Sequence, residues 1–210
     1  MIKVLIVDDH AIVREGLKQI LADAPDLEVT GEAGSGEEAL EKLLAGQWDV
    51  VVLDISLPDL NGLVVLQEIA RRHPELPVLI LSMYGEEQYA VRTLKAGAAG
   101  YLTKETAPQE LVTAIRKVGN GGKYVSPSLM EKMVSDLGTD LKKPKHETLS
   151  DREFQVLCMI AAGKGLTEIG EDLGLSVKTV STHRARMLKK MRLKSNAELI
   201  HYAIRYGLVK

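Results

Sequence analysis

Four apolar runs in the first half of the chain each end in a residue able to do polar chemistry. Ile2–Val7 leads into Asp8 and Asp9, Val50–Leu53 into Asp54, Val78–Leu81 into Ser82, and Tyr101–Thr103 into Lys104. Three carboxylates brought together repel one another strongly unless a cation sits among them. An oxygen-lined pocket of that kind suits a hydrated Mg²⁺. A carboxylate beside such an ion is a competent nucleophile toward phosphorus, because the metal neutralises charge that develops on the incoming oxygens. Ser82 could then hydrogen-bond one phosphoryl oxygen, and Lys104 could pair with another. A single acid at a strand end is as readily a helix cap; all five residues at the ends of four runs favour a shared site.

These residues converge only if the runs are strands of one sheet. Continuous Val/Ile/Leu runs separated by helix-like segments read as buried parallel strands, and the working residues of such a sheet gather past the carboxyl ends. The intervening segments supply the helices. Ala11–Leu21 carries Ile12, Leu17, Ile20 and Leu21 on one face. Ser35 caps Glu37–Leu44, with Glu38 placed for a capping box. Pro58 and Gly62 turn the chain into Leu63–Arg72, Glu87–Ala96 forms a fourth helix, and Pro108 opens a fifth to about Val118. Leu27–Ala33 is less apolar and suits a sheet edge. The expectation is an α/β domain over residues 1–120, a flavodoxin-like, doubly wound, five-stranded parallel sheet in which the third strand lies beside the first.

The second half has a different periodicity and a different charge. Ser126–Leu137 reads as a further helix and 138–147 as a polar linker with Pro144, so residues 121–147 connect the two parts. Residues 148–210 are purely helical in pattern. Ser150 caps a first helix, Thr167–Leu173 is short and stops at Gly174, Ser176 caps a longer helix to about Met191, and Asn196 caps a last one to about Tyr206. A helix, a Gly-containing turn and a longer basic helix make an all-α, four-helix helix-turn-helix domain. Residues 1–137 hold 13 Lys/Arg against 21 Asp/Glu, whereas 148–210 hold 11 against 6. Only the second half should meet a polyanion.

Within 176–191, Lys178, Arg184, Arg186, Lys189 and Lys190 face no acid in the local sequence. Val177, Val180, Met187 and Met191 recur at helical spacing and should be buried. Lys178, Ser181, Thr182, Ala185 and Lys189 then lie on the opposite stripe, where hydroxyls and methyls can reach base edges while longer cations reach phosphates. A basic solvated face is the plain alternative, and the helix-turn-helix context weighs against it.

The segments VLIVDDH, VVLDISLPDLNG, LILS and GYLTKE resemble the receiver domain of bacterial two-component response regulators, over residues 1 to about 120. LSDREFQVL and GLTEIGEDLGLSVKTVSTHRARMLKKMRLKSNAELI resemble the LuxR-type DNA-binding domain over 148–210, and the pairing is that of the NarL/FixJ family. The resemblance implies that Asp54 takes a phosphoryl group from a sensor histidine kinase. It implies that Asp9, Asp54 and the backbone carbonyl of Ser56 bind Mg²⁺, with Asp8 helping through water. It makes Ser82 and Tyr101 a switch pair, the ring turning inward as Ser82 moves to the phosphoryl group, and Lys104 the sensor. It assigns DNA contact to the helix carrying Lys178, Thr179, Ser181, Thr182, His183, Arg184, Arg186, Lys189 and Lys190. Many relatives read Thr-Val-Lys-x-His at its centre; here Ser181 stands in place of the lysine. The last helix implies a homodimer on double-stranded DNA or after phosphorylation, through Leu199, Ile200, Ala203 and Ile204.

Rival readings fit less well. A flavodoxin places a Ser/Thr/Gly loop after its first strand, where Asp8 and Asp9 would repel phosphate. A phosphatase with an aspartate nucleophile wants a second Asp two residues on, where this chain has Ser56. The remaining alternative is a DNA-binding regulator whose receiver answers to a protein or small molecule without phosphorylation. Cys158 is the single cysteine, set among apolar residues, and reads as a core filler in a reducing compartment. No apolar run nears the ~20 residues that span a bilayer, so a cytoplasmic protein without membrane contact is expected.

Overall fold

The computed structural model describes residues 1–127, 129–131 and 144–209. The chain divides into two compact units, Met1–Met133 and Val134–Lys210. In the first, strands β1 (Ile2–Val7), β2 (Leu27–Ala33), β3 (Val50–Leu53), β4 (Val78–Ser82) and β5 (Gly100–Thr103) form one sheet, all parallel, in the order β2-β1-β3-β4-β5. Helices α1 (Ala11–Ala22), α2 (Gly36–Ala45), α3 (Gly62–Arg72), α4 (Glu86–Lys95) and α5 (Pro108–Gly119) connect and follow them. The central strands β1, β3 and β4 are apolar on both faces because helices cover both. Val4, Ile6, Val50, Val52, Leu79 and Leu81 share one core with Leu17 and Leu21 of α1 and Leu111, Ile115 and Val118 of α5. The alternate residues Leu5, Val7, Val51, Leu53 and Ile80 are equally buried on the other face. β2, the strand with polar alternation, is at the edge.

Local chemistry explains most helix starts. Ser35 Oγ accepts from the Glu38 amide, but the Glu38 carboxylate accepts from the Gly34 amide one residue further out, so the reciprocal box is displaced. Asn61 Oδ1 caps α3 by accepting from the Leu63 amide. One residue of the expected α1 face is misplaced: Ile12 is 88% exposed, and Val13 packs against the core beside Leu17, Ile20 and Leu21. Leu17, Ile20 and Leu21 face the core as expected; at about 100° per residue Val13 falls between Ile20 and Leu17, whereas Ile12 lies on the far side of the helix.

Beyond α5 the chain comes back to the sheet. The Tyr124 amide donates to the Ala99 carbonyl at 2.8 Å, making a parallel bridge to Gly100 that covers the outer edge of β5. Of the helix expected over Ser126–Leu137, residues 127 and 129–131 are helical; residues 128 and 132–137 and the linker stretch 138–143 lie outside the described residues. No described peptide bond is cis, the one after Lys104 included.

Among the described residues the second unit comprises a tight helical turn, Lys145–Thr148, then α6 (Asp151–Ala161), α7 (Leu166–Asp172), α8 (Val177–Met191) and α9 (Asn196–Arg205). Ser150 and Glu153 form a complete capping box on α6. Gly174, at φ 62°, makes the left-handed turn between α7 and α8. Phe154, Leu157, Ile169, Val180, Met187, Met191, Leu199 and Ala203 build the core, with Cys158 buried among them. His146 lies against Phe154, Tyr202 and Tyr206 and hydrogen-bonds the Tyr202 hydroxyl through Nδ1 at 3.0 Å, which fastens the opening turn to α9. Two sequence expectations are corrected. Val177 is 45% exposed, because it is the first residue of α8 and precedes the turn that packs. The cap of α9 is Ser195, whose Oγ accepts from the Glu198 amide, while Asn196 Oδ1 accepts from Arg184 Nε at 2.7 Å. No helix among the described residues is long and apolar enough to cross a membrane.

Candidate functional site

Strand register brings the first set of residues together. Val7 pairs with Leu53, and the Asp54 amide donates to the Val7 carbonyl, so Asp8 and Asp54 leave the sheet side by side. Ser82 pairs with Thr103, and the Lys104 amide donates to the Ser82 carbonyl, which brings the lysine over the same edge. Asp8 and Asp54 are each 2% exposed; Asp9 and His10 stand at the rim. Lys104 Nζ lies 2.6 Å from Asp8 Oδ2 and 2.8 Å from Asp54 Oδ2. Burial holds the Asp54 carboxyl above the usual carboxylate range, against the pull of Lys104. Burial alone would lower the Lys104 ammonium, yet Asp54 and Asp8 together push it up.

Asp54 Oδ1 is buried and has no hydrogen-bond partner among the described residues. Asp8, Asp9, His10 and Asp54 each offer a ligand atom, all within 4.8 Å of one another. A buried carboxylate oxygen left unpaired amid further carboxylates fits a small divalent cation such as Mg²⁺, which takes its ligands from oxygen. Ser56 lies two residues beyond Asp54 and is half-buried. His10 was missed as a member of this cluster, although it directly follows the Asp8-Asp9 pair.

The hydroxyl residues meet on Tyr84. Ser82 is fully buried and its Oγ accepts from the Tyr84 amide at 3.2 Å. The Tyr101 hydroxyl donates to the Tyr84 carbonyl at 2.7 Å, and its ring is 0% exposed. The ring expected to turn inward is therefore already inside. Burial raises the Tyr101 phenol far above its usual value, so it stays a hydrogen-bond donor. The Tyr84 ring packs tilted against Tyr89 with centroids 4.8 Å apart.

On α8 the exposed residues are Val177 at its start and then Lys178, Ser181, Thr182, Ala185, Arg186, Lys189 and Lys190. Thr179, His183 and Arg184 are half-buried. Thr179 Oγ1 is 2.8 Å from Ser176 Oγ, within the cap, and Arg184 is held by Asn196. Lys190 does face an acid: its Nζ donates to Glu153 Oε2 at 2.6 Å, and that glutamate is nearly buried. The partner sits on α6, so local sequence could not reveal it. Burial, with the nearby Arg152 guanidinium, lowers the His183 imidazole. On α9, Leu199 and Ala203 are 0% exposed in the core of their own unit, Ile200 is half-buried, and Ile204 is 59% exposed. Leu199 and Ala203 are thus already used, and the free apolar surface of the four is Ile204 with part of Ile200.

Two family descriptions match the chain: "Response regulator receiver domain" over residues 4–116, and "Bacterial regulatory proteins, luxR family" over residues 147–203. The response regulator UvrY of Escherichia coli strain K12 is 40% identical over 209 residues, spanning 99% of this chain and 96% of that protein. The response regulator GacA of Pseudomonas syringae pv. syringae strain B728a is 39% identical over 210 residues, spanning 100% and 98%. Among solved structures, RcsB from Salmonella enterica serovar Typhimurium bound to promoter rprA in the presence of phosphomimetic BeF₃⁻ is similar, with a TM-score of 0.66 and 25% identity over the full length of both chains.

Proposed function

We propose that this chain, which belongs to the LuxR-family response regulators of two-component systems, takes a phosphoryl group on Asp54 and thereby changes its affinity for DNA. The observation that carries this is the unpaired, buried Asp54 Oδ1 beside Asp8, Asp9 and Lys104. Asp9 and Asp54, with the Ser56 carbonyl and Asp8 through water, would hold Mg²⁺. The ion supplies neutralising charge for a phosphoryl donor that three carboxylates would otherwise repel. Asp54 attacks the phosphorus of a kinase phosphohistidine; the new O–P bond forms as the P–N bond breaks, and the imidazole leaves. The Lys104 ammonium, already bridging Asp8 and Asp54, is in reach to pair with a phosphoryl oxygen. Ser82 and Tyr101 answer through Tyr84, which both of them hold.

In this reading residues 1–120 are the phosphoacceptor domain, 121–147 the connection and 148–210 the DNA-binding domain. The exposed stripe of α8 enters the major groove, and the α9 surface around Ile204 pairs two copies on adjacent half-sites. The protein works in the cytoplasm, where its DNA and kinase partner are reached. Incubation with acetyl phosphate and Mg²⁺ should add one phosphoryl group, and either EDTA or Asp54→Asn should abolish the label. Equal labelling of the Asn variant would move the acceptor elsewhere.

A further inference from the structure

The geometry points to His10 as a nitrogen ligand that tilts the acidic pocket toward borderline divalent cations such as Co²⁺, Ni²⁺ and Zn²⁺. The inference rests on the reading of that pocket as a cation site. His10 precedes α1 with extended backbone (φ −83°, ψ 106°), and its side chain does not cap the helix. The ring turns toward the acids instead. Its Nδ1 lies 2.8 Å from Asp9 Oδ1 and 3.3 Å from Asp8 Oδ1, and its amide donates to Asp8 Oδ1 at 2.9 Å.

Lys104 engages different carboxylate oxygens from those left to His10 and a cation. Its ammonium bonds the Oδ2 atoms of Asp8 and Asp54, whereas His10 sits at Asp8 Oδ1 and the unpaired oxygen of Asp54 is also Oδ1. The other nearby cation, Arg14, bonds the Asp8 carbonyl and the Glu32 carboxylate. The four ligand atoms fall within 4.8 Å of one another. An octahedral ion with donors at ~2.1 Å separates neighbouring donors by ~3.0 Å and opposite donors by ~4.2 Å. The cluster therefore closes around one ion with small shifts.

Donor chemistry then sets the preference. Mg²⁺ is hard, seeks oxygen and keeps several waters, so an imidazole adds little to its binding. Imidazole suits Co²⁺, Ni²⁺ and Zn²⁺, and affinity rises along the divalent series toward copper. The competing role for His10 is to position Asp9 through a hydrogen bond. Positioning would help every cation alike, whereas ligation helps the borderline ions selectively.

Calorimetric titration of the full chain with Co²⁺ alone and with Mg²⁺ alone, in wild type, His10→Asn and Asp54→Asn, separates these roles. Asparagine keeps an oxygen donor at position 10 and removes the nitrogen. His10→Asn should weaken Co²⁺ about tenfold while changing Mg²⁺ less than about twofold. In ¹⁵N spectra with one equivalent of Zn²⁺, the His10 Nδ1 resonance should shift, and excess Mg²⁺ should reverse the shift. Equal weakening for both ions, unchanged Co²⁺ affinity, or an unmoved His10 resonance would overturn the assignment while leaving the cation site standing. If Asp54→Asn titrates like wild type with both ions, the cation-site reading falls and this inference falls with it.

Discussion

At the scale of single residues, one ammonium serves two buried carboxylates. Lys104 Nζ reaches Asp8 and Asp54 together, with 8% of its side chain exposed. Removing one partner of a buried ionic cluster leaves uncompensated charge, typically costing about 3 kcal/mol or more. Lys104→Met should therefore destabilise the first unit by about 3 kcal/mol in EDTA, and Mg²⁺ should recover much of the loss by taking over the neutralising role. Urea unfolding with and without Mg²⁺ measures both; an equal loss in the two buffers would mean that no cation replaces the ammonium. Ser82 and Tyr101 make a second pair of linked residues, joined through opposite backbone groups of Tyr84. Ser82→Ala should still accept phosphate, because the nucleophile is untouched. Its DNA affinity should rise less than about twofold on phosphorylation, since a conformational switch moves only by differential contacts in its two states. Fluorescence anisotropy with labelled duplex reads this directly, and a full response would break the proposed link.

At the scale of elements, helix faces decide what each residue is free to do. Leu17 is buried under α1 and Ile12 is not, so Leu17→Ala should cost about 3 kcal/mol and Ile12→Ala almost nothing in urea unfolding. On α8, Lys178 and Thr182 are exposed toward solvent. Changing either should alter base preference, at roughly 1–3 kcal/mol per lost base contact. Arg186→Ala should weaken binding to all sequences and flatten the salt slope. Lys190→Ala should instead lower the melting temperature, because it removes the cation that offsets the buried Glu153 carboxylate. Titrations against specific and scrambled duplexes at several salt concentrations separate the three behaviours. His183 adds a pH dependence. Its imidazole is held below its usual value, so on acidification the unfolded chain takes the proton first. Stability should fall as pH drops below about 6.5, the ordinary histidine value, and His183→Gln should lessen that fall in melting curves from pH 7.5 to 5.5.

At the scale of the whole molecule, charge and apolar surface are divided between the two units. The first part is acidic and the second basic, a division that would keep the proposed cation-dependent chemistry apart from contact with a polyanion. Ile204 is the large exposed apolar residue of α9, whereas Leu199 of the same helix lies in the core. Ile204→Asp should leave the melting temperature unchanged and abolish cooperative binding to paired half-sites, with single half-site binding retained. Leu199→Asp should unfold the second unit, because it buries an unpaired charge. Sedimentation of the protein with one-site and two-site duplexes, alongside melting curves, distinguishes the two. Cooperative binding by Ile204→Asp would place the contact between copies elsewhere.

The amino-acid sequence by itself determined the parallel sheet and the convergence of Asp8, Asp54, Ser82 and Lys104. Runs apolar at every position must be covered on both faces, and parallel strands present their carboxyl ends at one edge. It also determined the helix-turn-helix order, because Ser150 and Ser176 act on amides within three residues of themselves. What lay beyond its reach depends on contacts between distant residues. The stripe of α9 could face a second copy or its own core, and the packing of α6 against it claims Leu199 and Ala203. Lys190 and Glu153 are 37 residues apart, a separation with no local signature. His10 joins the acids because the chain turns sharply between β1 and α1, and only the folded backbone fixes where that turn directs the ring.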